Sequence, residues 1–152
     1  ADEGDEGDEA EGAGAGTTGA GAAATAAALG GEVRQVDTPE FGWHEVDTDL
    51  PDAIAPGPWF EWHYDGFTVP DGATEIARTD VSPQAFRIGR SVGTQFHPEV
   101  TTELVDRWIN MDEKELRAHG VDPTVMAARS KEEAVGNRAR SDVLVDWFLD
   151  GD

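Results

Sequence analysis

Residues 1–28 are built from Ala, Asp, Glu, Gly and Thr alone, so they offer almost no apolar surface, and any hydrophobic core must come from residue 29 onward. The 152-residue chain is long enough for one domain with one core and short for two. From Asp2 to Glu11 seven carboxylates crowd a glycine-rich run. Such a run cannot offset its chain entropy and is expected to be disordered. The segment Ala20 to Leu29 differs, because alanine is the best helix former and Gly30-Gly31 would end a helix. A marginal helix is expected there. The organisation read from composition is a low-complexity segment over 1–27 and a folded domain over 28–152.

Charge narrows the partners. Eleven basic residues against 32 acidic ones give a formal net charge of -21, which repels nucleic acid and anionic lipid. The acid extends over the whole chain, and Lys114 and Lys131 are its only lysines. This pattern looks like that of proteins from salt-loving microbes, whose self-repulsion is screened at high ionic strength. The chain contains no cysteine, which excludes disulfides, thiolate metal sites and a thiol nucleophile. It has no apolar run of membrane-spanning length and no basic-then-apolar leader. The expectation is a cytoplasmic protein with no nucleic-acid or membrane partner.

From Glu32 onward short runs read as strands: 32–36, 42–46, 58–62, 74–78, 84–88 and 91–96. Pro56-Gly57-Pro58, Pro70-Asp71-Gly72 and Ser82-Pro83 supply the turns between them. Gly89-Arg90, between two alternating runs, predicts a hairpin with a two-residue loop that delivers His97 at a strand's end. After Glu99 the period becomes helical. Residues 101–110 and 112–119 predict two helices, the second stopped by Gly120. Asp122-Pro123 then opens the longest helix, with Asp as N-cap and Pro at the first helical position. Val135, Ala139, Val143 and Trp147, with Leu144 and Phe148, read as its packing stripe.

The sharpest local signal is Gly93-Thr94-Gln95-Phe96-His97-Pro98-Glu99-Val100. It resembles the segment of class I glutamine amidotransferases in which a His and a Glu two residues on act as base and orienting acid beside a cysteine nucleophile. Other segments agree in order: Ala28-Leu29-Gly30-Gly31-Glu32-Val33, Glu40-Phe41-Gly42-Trp43, and Trp62-His63-Tyr64-Asp65 followed by Val69-Pro70. The match runs from residue 28 to about 101 and is most similar to the amidotransferase part of GMP synthase. The resemblance implies an α/β, flavodoxin-like mixed sheet whose N-terminal half is incomplete, followed by C-terminal helices. It implies glutamine as substrate, no cofactor, and an ammonia-consuming synthetase as partner. His97 and Glu99 are the implied catalytic pair, and His63, Tyr64 and Asp65 the candidates for supporting the glutamine pocket. Residues two apart on a strand share a face, which suits His97 and Glu99, and Pro98 stiffens the backbone between them.

Counting back in the family's register from Leu29 puts Gly19 at the nucleophile, with Thr17, Gly21 and Ala23 at the flanking motif positions. Only Gly21 matches. The family's strand-helix-strand units ahead of the nucleophile need on the order of 30 residues each, and the chain has 18 low-complexity ones there. Three readings follow: a pseudoenzyme that kept His97 and Glu99, a fragment complemented by a partner chain that supplies the cysteine, or a regulatory module that binds a ligand without chemistry. Two plainer readings stand beside them. His97 and Glu99 can be a strand-end pair of no function. His44, His63, His97, Asp65 and Glu99 include metal-ligand types but match no metal motif in spacing, so no metal is expected.

Overall fold

The computed structural model describes residues 20–150. Its elements in chain order are α1 (Ala20–Ala28), β1 (Val33–Glu45), β2 (Asp47–Thr48), β3 (Pro58–Phe67), β4 (Thr74–Arg78), β5 (Pro83–Ile88), β6 (Ser91–Thr94), α2 (Thr102–Ala118) and α3 (Pro123–Asp150). β1 pairs antiparallel with β3, and β2-β4-β5-β6 form a second antiparallel sheet. Among the described residues no helix is long and apolar enough to cross a membrane.

The expected alanine helix forms, and packing holds it. Nine residues are too few for an isolated helix, but Ala22 and Ala26 are fully buried and cluster with Phe67 and Phe86. Its approach to β6 is close because the facing residues are small. A Cβ placed on Gly93 would lie 3.3 Å from the Ala22 Cα and 3.0 Å from the Phe86 ring. The helix ends as Gly30-Gly31 predicts. Gly30 takes φ +89, its N–H bonds the Ala27 carbonyl, and the Gly31 N–H reaches back to Ala26 at 2.8 Å, the paired closure typical of a glycine-stopped helix.

Two expected strands, 32–36 and 42–46, are one. β1 is continuous across a bulge in which Val36 to Pro39 stand opposite Tyr64 of β3. Pro39 has no N–H to give a ladder, so the irregularity falls where pairing would fail anyway. Beyond it Glu40 pairs with His63 and Phe41 with Trp62. β3 is likewise longer than the expected 58–62, and both its faces are buried. Phe60 and Trp62 join Phe41, Trp43, Val105 and Ile109 in one cluster. Trp59, on the other face, joins Ile54, Ile76, Phe96 and Leu144 in a second.

The β5–β6 hairpin turns at Gly89-Arg90, with Ile88 paired to Ser91 and Gly89 at φ +56, the positive φ that a tight hairpin loop requires. The two helices expected after Thr101 are the two halves of α2, which meet at a kink at Asp112, whose φ of −124 and ψ of 23 leave the helical region. The Thr101 hydroxyl accepts the Leu104 N–H at 3.2 Å, and Asp122 caps α3 by accepting the Thr124 N–H at 2.8 Å.

The packing stripe expected on α3 is right in part: Leu144 is buried and Trp147 packs against the second cluster, but Val135, Val143 and Phe148 are exposed. Val135 is 83% exposed while Leu144 is 7% exposed; the buried face runs through Met126, Ser130, Asn137, Ser141 and Leu144. Val135 lies two residues from Asn137, about 200° around the helix. The helix buries a partly polar face because it backs onto the backbone carbonyls of Pro98 and Val100. Leu144→Ala is accordingly expected to cost about 2–5 kcal/mol and Val135→Ala less than about 0.5 kcal/mol in denaturant unfolding. Equal costs would contradict this orientation.

Candidate active site

β6 leads into an extended segment that lays its backbone on β3, where the His97 N–H donates to the Phe60 carbonyl at 2.8 Å. This bond fixes the height of His97 on the sheet. Pro98 follows with its φ restricted, and the chain turns back so that Glu99 Oε1 sits 2.8 Å from His97 Nδ1. The imidazole packs edge-on against Trp108 of α2, with ring centres 4.9 Å apart. His97 is 7% exposed and Glu99 is exposed.

With its proton on Nδ1, directed at the carboxylate, the ring has a free lone pair on Nε2. Nε2 is buried with no hydrogen-bond partner among the described residues. Partial burial pushes the Glu99 carboxyl up, but the His97 hydrogen bond, its own backbone N–H and the imidazole charge together hold it below the usual value. A carboxylate on one nitrogen and an open lone pair on the other is the arrangement that general-base chemistry requires.

The turn is gripped from α3. Ser141 donates its hydroxyl to the Pro98 carbonyl at 2.6 Å. Asn137 Nδ2 reaches the Val100 carbonyl at 3.3 Å and the Pro98 carbonyl at 3.4 Å. Sequence reasoning missed both residues. Their signal was small polar side chains at helical spacing, from Ser130 through Asn137 to Ser141.

The three pocket candidates part company. His63 is buried, with Nε2 3.0 Å from Glu40 Oε2 and 3.4 Å from Glu61 Oε2, and Nδ1 2.9 Å from the Asp65 carbonyl. Tyr64 points to the opposite face of β3, 5.2 Å from the Phe41 ring and 5.9 Å from His119. Asp65 is exposed, and its carbonyl also accepts Gln95 Nε2 at 2.8 Å.

Around His63 lies a buried polar seam whose members the sequence reading gave no such role. Glu40 also accepts from Gln84 Nε2 at 2.8 Å and from the Thr79 hydroxyl at 3.1 Å. Glu61 is 0% exposed, with His63 as its ion-pair partner. Burial pushes its carboxyl up to about 7 against the lowering pull of His63, and the Glu40 charge adds to the rise. Burial pushes the His63 imidazolium down, but the close approach of the Glu40 and Glu61 carboxylates outweighs that and holds it up at about 9.

Among the described residues no group of three or more His, Asp or Glu side chains is arranged to hold a metal ion. Gly19, the position that the family register assigns to the nucleophile, lies outside the described residues. α1 begins one residue later, and a Cβ on Gly21 would lie 3.5 Å from the Thr94 carbonyl. That places the first turn of α1 against the end of β6, the strand that leads to His97.

No family model matches the chain, and no curated protein matches it. Solved structures do. A glutamine amidotransferase from Thermotoga maritima superposes with a TM-score of 0.73 at 27% identity, over 82% of this chain and 57% of that one. A glutamine amidotransferase from Methylobacillus flagellatus superposes with a TM-score of 0.74 at 23% identity, over 83% of this chain and 58% of that one. The second likeness is one of fold. The chain thus spans less than two thirds of the length of these proteins. The order of the resembling segments and this superposition together support a class I glutamine amidotransferase-like domain, matched over part of its length.

Proposed function

We propose that this chain carries the proton-handling half of a glutamine amidotransferase site, His97 with Glu99, and that it does not hydrolyse glutamine by itself. The observation that carries the reading is the 2.8 Å bond from Glu99 to His97 Nδ1 combined with a buried Nε2 that has no partner among the described residues. Glutamine is the substrate proposed, by likeness to the amidotransferase from Thermotoga maritima and by the order of the resembling segments.

The side-chain amide of glutamine is a weak electrophile, so its hydrolysis is eased by splitting it into two acyl transfers. In the first, a thiol gives its proton to His97 Nε2 as sulfur attacks the amide carbon. Collapse of the tetrahedral adduct breaks the C–N bond, the proton passes to the departing nitrogen, and ammonia leaves a thioester. Water, deprotonated by the same Nε2, then releases glutamate and the free thiol. Glu99 keeps the ring in one tautomer and stabilises the imidazolium that forms in each half. These 152 residues hold no thiol, so in this reading the sulfur comes from outside them.

The test is ammonia release from glutamine. The purified chain is expected to give none above background. Activity that appears on adding an amidotransferase segment with the cysteine elbow, and that is lost with His97→Ala, would support the reading. Gly19→Cys tests whether the register holds within this chain. Glutamine hydrolysis by the unmodified chain, abolished by His97→Ala, would overturn the dependence on a thiol. Tight glutamine binding with no hydrolysis in any combination would favour a ligand-binding module.

A further inference from the structure

The turn from His97 to Val100 has little backbone pairing of its own. Its internal bond, Val100 N–H to the His97 carbonyl, is long at 3.3 Å, and Pro98 contributes no N–H. What the turn presents to α3 is carbonyl oxygen, and buried carbonyls need donors. Ser141 and Asn137 supply them at 2.6 Å to Pro98 and at 3.3 Å to Val100. Both side chains are buried. Asn137 Oδ1 is buried with no partner among the described residues, so this amide is held there for its N–H groups, at the cost of an unmet acceptor.

We propose that Ser141 and Asn137 are positioning residues for His97. By fixing the Pro98 and Val100 carbonyls they hold the turn in the one shape that lays Glu99 on His97 Nδ1, and they thereby leave Nε2 as the free base. Neither touches the imidazole; both act through the backbone of the segment that carries it. The inference rests on the reading of His97 and Glu99 as an oriented base.

The experiment is nitrogen-15 NMR of the whole chain, labelled at histidine and held in molar potassium chloride. The readout is the Nδ1–H resonance of His97, assigned by its loss in His97→Gln. A proton bonded to a carboxylate gives a downfield signal protected from exchange. Glu99→Gln is expected to shift it, and Ser141→Ala to erase it. Ser141→Thr, which keeps the hydroxyl, should restore it. Asn137→Asp, which keeps the shape and removes the donors, should erase it even if Ser141→Ala proves too unstable to measure. Leu144→Ala loosens α3 without removing a bond to the turn and should leave the signal in place. An unchanged resonance in Ser141→Ala and Asn137→Asp would overturn the positioning role, as would its loss in Leu144→Ala. If Glu99→Gln leaves it unmoved, the oriented-base reading itself fails, a result distinct from failure of the positioning role.

Discussion

His63→Ala is expected to cost on the order of 3–5 kcal/mol, the range found when one partner of a buried ion pair is removed. Among the described residues His63 is the cation that lies close to both buried carboxylates, Glu40 and Glu61. Without it Glu61, fully enclosed between the clusters on that face of β3, must either carry an uncompensated charge or take up a proton. Glu40 would keep Thr79 and Gln84 as donors, so the larger part of the loss belongs to Glu61. Replacing the set by neutral side chains, Glu40→Gln, Glu61→Gln and His63→Gln together, should recover part of the loss, because desolvated charge is what makes the single variant costly. Denaturant unfolding in molar salt checks this. A midpoint for His63→Ala within experimental error of the parent would show that the seam is not the charged network its distances describe.

The second large effect is on pH. His63 is held at about 9 in the fold against about 6.5 unfolded, so the folded state binds the proton more tightly. That contribution is fully present below about pH 6.5 and is lost as pH rises through about 9. Glu61 is held at about 7 against about 4.3 unfolded, so its contribution is present at low pH and is lost as pH rises through about 7. The two act in the same direction. Stability should fall by a few kcal/mol between about pH 5 and pH 9, in contrast to the flat plateau expected where buried groups keep their ordinary values. Glu99 acts in the opposite sense: its lowered carboxyl gives stability that is lost only as the solution becomes acid. Unfolding midpoints at about pH 5.5, 7 and 8.5 at fixed high salt give the slope, which the triple variant Glu40→Gln, Glu61→Gln, His63→Gln should flatten. A parent protein equally stable across that span would rule the seam out as the source.

Where side-chain chemistry and backbone geometry agreed, the sequence was readable. The Gly89-Arg90 hairpin, the Asp122 cap and the Gly30-Gly31 stop are local devices, and each appears where its residues predict. His97 and Glu99 do meet, though not as neighbours on a strand face: β6 ends at Thr94, and a turn through Pro98 brings Glu99 onto the imidazole. What could not be read depended on partners far along the chain. Asp37-Thr38-Pro39 has the composition of a turn, yet it is a bulge because β3 runs on beside it to Phe67. Glu61 and His63 alternate with Phe60, Trp62 and Tyr64 as a half-exposed strand would, and nothing local says that both faces are covered. On α3 the apolar period selected Val135 and Val143, whereas the face that docks is chosen by carbonyls some 40 residues earlier, at Pro98 and Val100.

The docked face of α3 bears on how that helix can and cannot move. Helices packed through leucine and valine can slide or roll slightly over one another, because apolar surface uncovered at one place is covered again at the next. A hydroxyl bonded to one carbonyl and an amide to another have no such substitutes. Slippage of α3 by a single turn, about 5.4 Å, would carry Ser141 and Asn137 past Pro98 and Val100 and strand two buried oxygens. The helix therefore behaves as a latch with one seating, engaged in full or released altogether, so that its undocking would be sharp rather than gradual.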